Sequence, residues 1–575
     1  YGTLKAICIF PVFLFVPGYV IAWLLDLFEF RGRTAAFRIT LSVPLSISLC
    51  PILTYLLARF AGMAAVWVFY SAAAAAFLVV LAFAWKGKGA RRLVPAGSAI
   101  FGVILCVWLV VSVLSLIDLQ IGDRLYYPTS TLDYAVRTSF THSISATGVP
   151  PQNPLFQPGN PAPLRYHYFW LLMCSLVNQA GGPGITARLA LIGGTFWCGI
   201  GLMALVLIYL RIFTAGRPER FRRRALAGVL LLAVTGLDIV PSLGFLFLYA
   251  KGLVPFVLPS VEWWNEHVDW FVYSTIWAPH AVAATIACFM GFLLLWHAPA
   301  AQGRRGLLRY SLPAGIALAS SVGCSIYVTL VFAIFLIVWT LVTLGKRWFR
   351  ETAALAVAGL AMIVLAIPYL RDLSGPAAGG PLVQLTVRAF SLAALFPTPG
   401  LSQGWRQILV NGSLLPINYL LEFGFFFLVA HCKWRQHRAS GNPLSRQDLA
   451  FALMAATSLL VCTFLRSSVI GCNDLGWRGF LVAEFVLLLW GVDVFTRRDH
   501  WRFLTGRQRD LLVVFIGLGV AGTVYDLAIV RAYPLLADRG LVPALDWMSG
   551  DRSFGKRTYA ARSAYEWLRT ATPPT

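Results

Sequence analysis

The stretch TARLALIGGTFWCGIGLMALVLIYLRIFTAGRPERFRRR, Thr186–Arg224, decides the architecture. Within it, Leu189–Leu210 holds 22 residues without a charge. At 1.5 Å of rise per residue, a helix of about that length crosses roughly 30 Å of hydrocarbon. Six arginines follow at once: Arg211, Arg217, Arg220, Arg222, Arg223 and Arg224. Short loops this basic stay on the cytoplasmic side, so one stretch supplies both a membrane span and its direction.

The same alternation runs the length of the chain. Of 575 residues, 58% are hydrophobic and 12% charged, against about 45–50% and about 25% in a soluble domain. A soluble enzyme is excluded, because so few polar residues cannot cover its surface. Apolar runs fall at about 4–24, 36–60, 63–85, 99–119, 186–211, 225–247, 275–296, 352–370, 414–431, 448–466, 478–495 and 511–531. The longer run 311–343, with Ser320, Ser321 and Ser325 in its middle, reads as two short helices. The expected fold is an all-α polytopic membrane protein of about fourteen transmembrane helices. The formal charge of +23 is explained by topology: 28 of the 47 Lys and Arg fall in one alternate set of loops. Nucleic acid is therefore set aside as a partner. The ten Cys lie almost all in apolar runs with no CxxC pair, so neither a disulfide framework nor a zinc site is indicated.

Orientation settles one ambiguity. Arg165–Ala180, RYHYFWLLMCSLVNQA, has the composition of a further span. If it crossed, the arginines of 211–224 would be translocated, so it is expected to lie flat as an interfacial helix on the outer side. Both termini and the long loops 120–185, 248–274 and 371–413 then face outward, in the plasma membrane of a bacterial cell.

Candidate functional residues concentrate in those outer loops. Asp133, after Ser130 and Thr131, stands at the start of a helix-like stretch and reads either as an N-cap or as a functional carboxylate. Asp123 sits beside Arg124 and reads as a surface pair or a ligand-binding group. The loop VEWWNEHVDWFVYSTIWAPH, 261–280, sets Glu262, Glu266, His267 and Asp269 among aromatic residues, with His280 opening the next span. An amphipathic surface helix explains this loop, Glu262 and Glu266 sharing a face. Glu266, His267 and Asp269 could ligate a metal, but the HExxH spacing is missing. Arg466, Asp474 and Arg478 lie in RSSVIGCNDLGWRG, and Arg371, Arg388 and Arg406 in the preceding outer loop. Arginines on this face either pair with Asp474 and Asp372 or bind a phosphate. Asp238, inside an apolar run, is a functional candidate because an intramembrane carboxylate is costly. Walker A, GxGxxG and GxSxG motifs are all missing.

The order of these parts resembles the GT-C superfamily of membrane glycosyltransferases, which use polyprenyl-phosphate-linked sugars, among them protein mannosyltransferases and the lipid A aminoarabinose transferase. The matching parts are the span Ile100–Leu119, Asp133, the stretch 134–147, GVPPQNP (148–154), PLRYHYFWLLMCSLVNQAGG (163–182) and TARLALIGG (186–194). The similarity is best over 99–345, and the paired Asp-Glu of the mannosyltransferases is missing. The resemblance implies four parts: N-terminal spans 1–98, a core 99–345 with outer loop 120–185, C-terminal spans 346–531, and an extracytoplasmic tail 532–575 resembling the start of a soluble domain. It further implies an inverting sugar transfer from a polyprenyl-phosphate donor to an acceptor at the outer face. Asp133 would be the base, and Arg478, Arg466 or Arg371 would meet the phosphate. His167, Glu266 and His280 would surround the sugar or acceptor. Membrane lipids and the lipid-linked donor are the expected partners; other membrane subunits, and the involvement of a divalent metal, stay open. Two other classes compete: a lipid-linked-sugar transporter using Asp238, and a non-catalytic subunit on the same scaffold.

Overall fold

The computed structural model describes residues 1–86, 98–155, 159, 161–213, 218–253, 265–374, 383–390, 403–468, 473–497, 504–543 and 553–572. Glu262, Arg217, Arg498 and Arg502 lie outside the described residues. The chain is almost wholly helical: α1 (Gly2–Ile9), α2 (Pro11–Leu14), α3 (Val16–Leu24), α4 (Ala35–Lys86), α5 (Ser98–Leu114), α6 (Thr131–Thr147), α7 (Phe169–Gly181), α8 (Ala187–Phe213), α9 (Pro218–Leu231) and α10 (Ile239–Ala250). There follow α11 (Phe271–Trp277), α12 (Pro279–His297), α13 (Gly303–Cys324), α14 (Ile326–Gly345), α15 (Phe349–Leu373), α16 (Gln403–Arg406), α17 (Gly412–Phe423) and α18 (Phe425–Ser440). The last are α19 (Arg446–Phe464), α20 (Asp474–Arg478), α21 (Leu481–Thr496), α22 (Gly506–Asp538) and α23 (Phe554–Ala571). Two small antiparallel ladders accompany them, β1 (Leu119–Ile121) with β2 (Arg124–Tyr126), and β3 (Val383–Leu385) with β4 (Leu465–Ser467).

Among the described residues, ten helical segments are long and apolar enough to cross a membrane, fewer than the fourteen expected. The difference has local causes. The run Ala35–Phe83 counts as one segment of 49 residues, but Gly62, with φ +81°, divides it into two helices where the runs 36–60 and 63–85 were expected. The run 99–119 yields only a short apolar helix, Ile100–Leu114. The run 225–247 is not one helix. Its backbone leaves α9 at Leu231 and resumes only at Ile239, so Asp238 stands in a break and not inside a span.

Such a break is tolerated among apolar helices only if its backbone groups find partners. They do: the Thr235 N–H and hydroxyl donate to the Gly519 carbonyl at 3.2 and 3.0 Å, and the Leu237 N–H donates to the Leu421 carbonyl at 2.6 Å. The Thr523 hydroxyl donates to the Ala233 carbonyl at 2.9 Å. Two helices from the C-terminal part, α17 and α22, thus complete a segment near residue 235.

The centre is α12. Every residue from Pro279 to Leu295 is buried, as a helix apolar on all sides must be. It packs on α4, α8 and α13. The helix expected over 165–180 is α7, only 13 residues long and buried along most of its length against α6 and α8. At about 1.5 Å per residue it is too short to cross, but it is not a surface helix, because both of its faces are apolar. The surface helix expected over 261–280 is also corrected: 265–270 is extended and largely buried, and helix begins only at Phe271.

The ends of the bundle are chemically distinct. Arg224, Lys433 and Arg497 gather round Asp493. Along α20 and α21, Asp493 lies 15 residues, about 22 Å, from Arg478. A Cβ on Gly236 would stand 2.3 Å from the carbonyl oxygens of Leu421 and Glu422, whereas Gly244 has open space around it. Gly236→Ala is expected to lower stability by about 2–3 kcal/mol and Gly244→Ala to leave it unchanged or slightly raised. Thermal melts of both variants in the same detergent check this.

Candidate active site

The site is built on a helix interruption. Pro279 cannot continue α11, and Ala278 before it takes φ −135°, ψ 63°. The carbonyls of Ile276 and Trp277 are thereby released from helical bonding. The Tyr134 hydroxyl donates to the Ile276 carbonyl at 2.6 Å and contacts the Thr195 hydroxyl at 3.0 Å. The Arg137 guanidinium donates to the Trp277 carbonyl. Both residues lie on α6, so the interruption pins α6 to the start of α12.

Asp133 rides on the same turn. It is the third residue of α6, and Ser130 holds the cap position without a side-chain bond, so Asp133 is not an N-cap. Its Oδ2 accepts from Trp277 Nε1 at 2.5 Å and lies 3.5 Å from Arg137, while 42% of its side chain is open. A carboxylate with one oxygen held and the rest exposed is the arrangement a proton acceptor requires.

A second layer lies beside it. Asp269 pairs with Arg478, and His267 Nε2 sits 3.0 Å from Asp269 while its ring stacks on Trp477. Burial alone would push the Asp269 carboxyl up, but Arg478 and His267 together hold it below the usual carboxylate range. Asp474 is within electrostatic reach of Arg478, Asp269, Asp133 and Arg137. His167 and His280 meet with ring centroids 4.6 Å apart, and Tyr166 stacks on His167 at 4.0 Å. Burial, reinforced by Arg137 and Arg478, lowers the His167 imidazole to about 3. It is neutral at pH 7 and cannot serve there as a cation.

Behind this layer Arg388, fully buried, donates to the carbonyls of Glu266, of His267 at 3.0 Å and of Gly476 at 3.1 Å. Glu422, also fully buried, accepts from the Val268 N–H at 2.9 Å and from Asn265. These two groups hold 265–270 extended against α20. Beneath, a void of about 10 Å³ is bordered by His267, Asp269, Asp238 and Asp526. An apolar cavity of about 470 Å³ opens along α5, α8, α9 and α22, and reaches α11 through Phe271, Val272 and Thr275. Its end of α11 is thus the helix whose last residue, Trp277, bonds Asp133.

Of the candidate residues, Asp133, His167, His267, His280, Asp474 and Arg478 come together. Asp238 is near but below them. Glu266 is held through its carbonyl, not its carboxylate. Three do not join. Asp123 is exposed at the β1–β2 turn and pairs with Lys556, 3.5 Å away, not with Arg124, which pairs with Asp538. Arg371 is exposed at the end of α15, and Asp372, its expected partner, bonds Arg59 and Tyr55. Arg466 is exposed on β4 opposite Gln384. Contributors left out of the candidates include Arg137, signalled by its i,i+4 spacing from Asp133, and Trp277, which the sequence shows only as one of the aromatic residues of 261–280. Among the described residues, no group of three ligating side chains is placed to hold a metal ion.

No protein-family model matches the chain. It is similar to the uncharacterized protein y4nK of Sinorhizobium fredii, 25% identical over 395 residues, 66% of this chain and 54% of that protein. The chain thus spans about half the length of the curated relative it matches. Among solved structures it is similar to the archaeal oligosaccharyltransferase AglB from Archaeoglobus fulgidus, determined with an inhibitory peptide and a dolichol-phosphate. The TM-score is 0.40 at 13% identity, over 77% of this chain and 58% of that one.

The depressed His167 pKa has a signed consequence. Between about pH 6.5 and 3 the unfolded chain binds a proton there that the folded chain does not. Stability from this group is therefore complete above pH 6.5 and declines as pH falls. In His167→Gln the loss of melting temperature between pH 7 and pH 5 is expected to shrink relative to the parent.

Proposed function

We propose that this integral membrane protein transfers a sugar from a polyprenyl-phosphate donor to an acceptor at the extracytoplasmic face of a bacterial plasma membrane. The observation that carries the proposal is the meeting of a half-open carboxylate, Asp133, with the fixed cations Arg137 and Arg478. The chain's resemblance to GT-C enzymes at Asp133 and its flanking segments points the same way. In this reading both termini face outward, as the basic loops require.

The chemistry follows from the groups present. Trp277 and Arg137 hold Asp133 Oδ2, which leaves Oδ1 to take the proton from an acceptor hydroxyl or amine as that atom attacks the anomeric carbon. The bond from that carbon to the phosphate oxygen breaks, and the polyprenyl phosphate departs with the electron pair. Negative charge grows on the phosphate as it leaves, and Arg137 and Arg478 stabilise it because they are already in place. Both guanidiniums are nearly enclosed, 8% and 7% exposed in their side chains, so water screens them weakly. The cavity of about 470 Å³ would take the first part of the polyprenyl chain. His280 and neutral His167 would bond sugar hydroxyls. The donor supplies the leaving group.

A transport reading has one observation in its favour. Asp238, Glu422, Glu484 and Asp526 are four buried carboxylates within or beside the apolar helices, and carboxylates at such depth often mark ion or proton paths.

One experiment separates these. In proteoliposomes carrying a labelled polyprenyl-phosphate sugar, with acceptor alcohols and amines supplied outside, the parent is expected to transfer the sugar and release polyprenyl phosphate. Asp133→Asn, nearly isosteric, should fold normally and lose about 10²–10⁴ in rate. Trp277→Phe should lose about tenfold, because Oδ2 is no longer oriented, and Asp123→Asn should match the parent. An Asp133→Asn protein that turns over normally removes Asp133 from the mechanism. A parent that moves intact donor across the vesicle wall without cleaving it supports transport instead.

A further inference from the structure

About 25 Å along α12 from His280, at its other end, His297 borders a second cavity of about 380 Å³. This is the end of the bundle opposite Asp133. We propose that this cavity binds a phosphate-bearing anion, independently of the sugar-transfer site.

Three arginines from separate parts of the chain line it: Arg33 from the loop before α4, Arg211 from the end of α8 and Arg309 from α13. One carboxylate, Glu29, lines it with them and lies 3.0 Å from Arg33. The charge of the lining is therefore +2. Among the described residues, Arg211 and Arg309 meet aromatic rings, Phe221 at 5.3 Å and Tyr310 at 5.1 Å, and no carboxylate. Arg309 Nε is buried and, among the described residues, donates to nothing. A buried donor on a charged group is costly to leave unmatched. A planar guanidinium fork fits phosphate oxygens two at a time.

The loop at the cavity wall has an unusual backbone. Asp26, Phe28 and Glu29 all adopt left-handed φ, 46°, 56° and 59°, though none is glycine. Each such residue is strained and persists only where its surroundings impose it. The imposing contacts are visible: the Tyr310 hydroxyl accepts from the Phe28 N–H at 2.9 Å, the Phe28 ring packs edge-on to His297 at 4.7 Å, and Arg33 Nε donates to the Phe28 carbonyl at 3.0 Å. Phe28 is thus folded inward as a wall while Glu29 and Arg33 stay exposed at the rim. Basic hollows between membrane helices are the usual receptors for anionic lipid headgroups, and the same fork would take a soluble diphosphate.

The two sources are distinguished by the probe. Purified parent is titrated with inorganic pyrophosphate in lipid-free detergent and followed by thermal melting. In parallel it is placed in phosphatidylcholine nanodiscs with and without cardiolipin, and retained cardiolipin is counted by native mass spectrometry. Arg211→Ala and Arg309→Gln are each expected to weaken binding of the responding probe about tenfold, while Arg435→Ala, an exposed arginine elsewhere, leaves it unchanged. Glu29→Gln removes the competing carboxylate and should strengthen binding about threefold, a gain that damage to the fold cannot mimic. Response to pyrophosphate identifies a soluble ligand, and response to cardiolipin alone identifies a lipid. The proposal is overturned if neither probe binds the parent, or if Arg211→Ala and Glu29→Gln both bind as the parent does.

Discussion

Amid apolar helices, a released carbonyl or N–H must find a partner, and this constraint shapes the functional half of the molecule. Two helix interruptions, at 232–238 and at Ala278, position the site. Each interruption exposes backbone groups that a straight helix would have satisfied internally. The protein answers with side chains and backbone from distant segments: Tyr134 and Arg137 at the second break, Leu421, Gly519 and Thr523 at the first. Arg388 does the same for the extended segment 265–270. The positions of Asp133 and Asp269 follow from these bonds, because each rides on a segment that a released carbonyl fastens in place.

Charge is arranged by the same economy of solvent. Asp269 is nearly inaccessible and remains ionised because Arg478 and His267 face it. Removing one partner from such a group leaves an uncompensated charge, which is more costly than losing an exposed pair. Asp133 differs: it is open to solvent on one side and held on the other. The two carboxylates therefore have separate tasks, one fixing the frame and one able to exchange a proton.

Much of the architecture was legible before any coordinates. Uncharged runs and basic loops identify the spans, and the opposed ends seen at Asp493 and Arg478 agree with the loop charges. Asp133 and the 466–478 cluster were readable as unusual polar groups on one side. The pairings were not. Arg124 prefers Asp538 over its neighbour Asp123, and Asp372 prefers Arg59 over Arg371, because tertiary packing and not adjacency sets which charges share a low-dielectric space. Apolar periodicity also cannot tell a buried helix such as α7 from an interfacial one. A break such as 232–238 is invisible for a related reason: its partners lie about 200 to 300 residues further along the chain.

That remoteness bears on how the molecule is made. The turn around Gly236 leaves the ribosome long before Leu421 and Gly519, the residues that receive its backbone donors. Until they arrive, α10, with 12 residues, is too short to span on its own, and the unpaired groups beside it belong in water or in the lipid headgroups. The backbone bonds of 232–238 can therefore close only after the C-terminal helices have been made, so this region is completed against the order of synthesis.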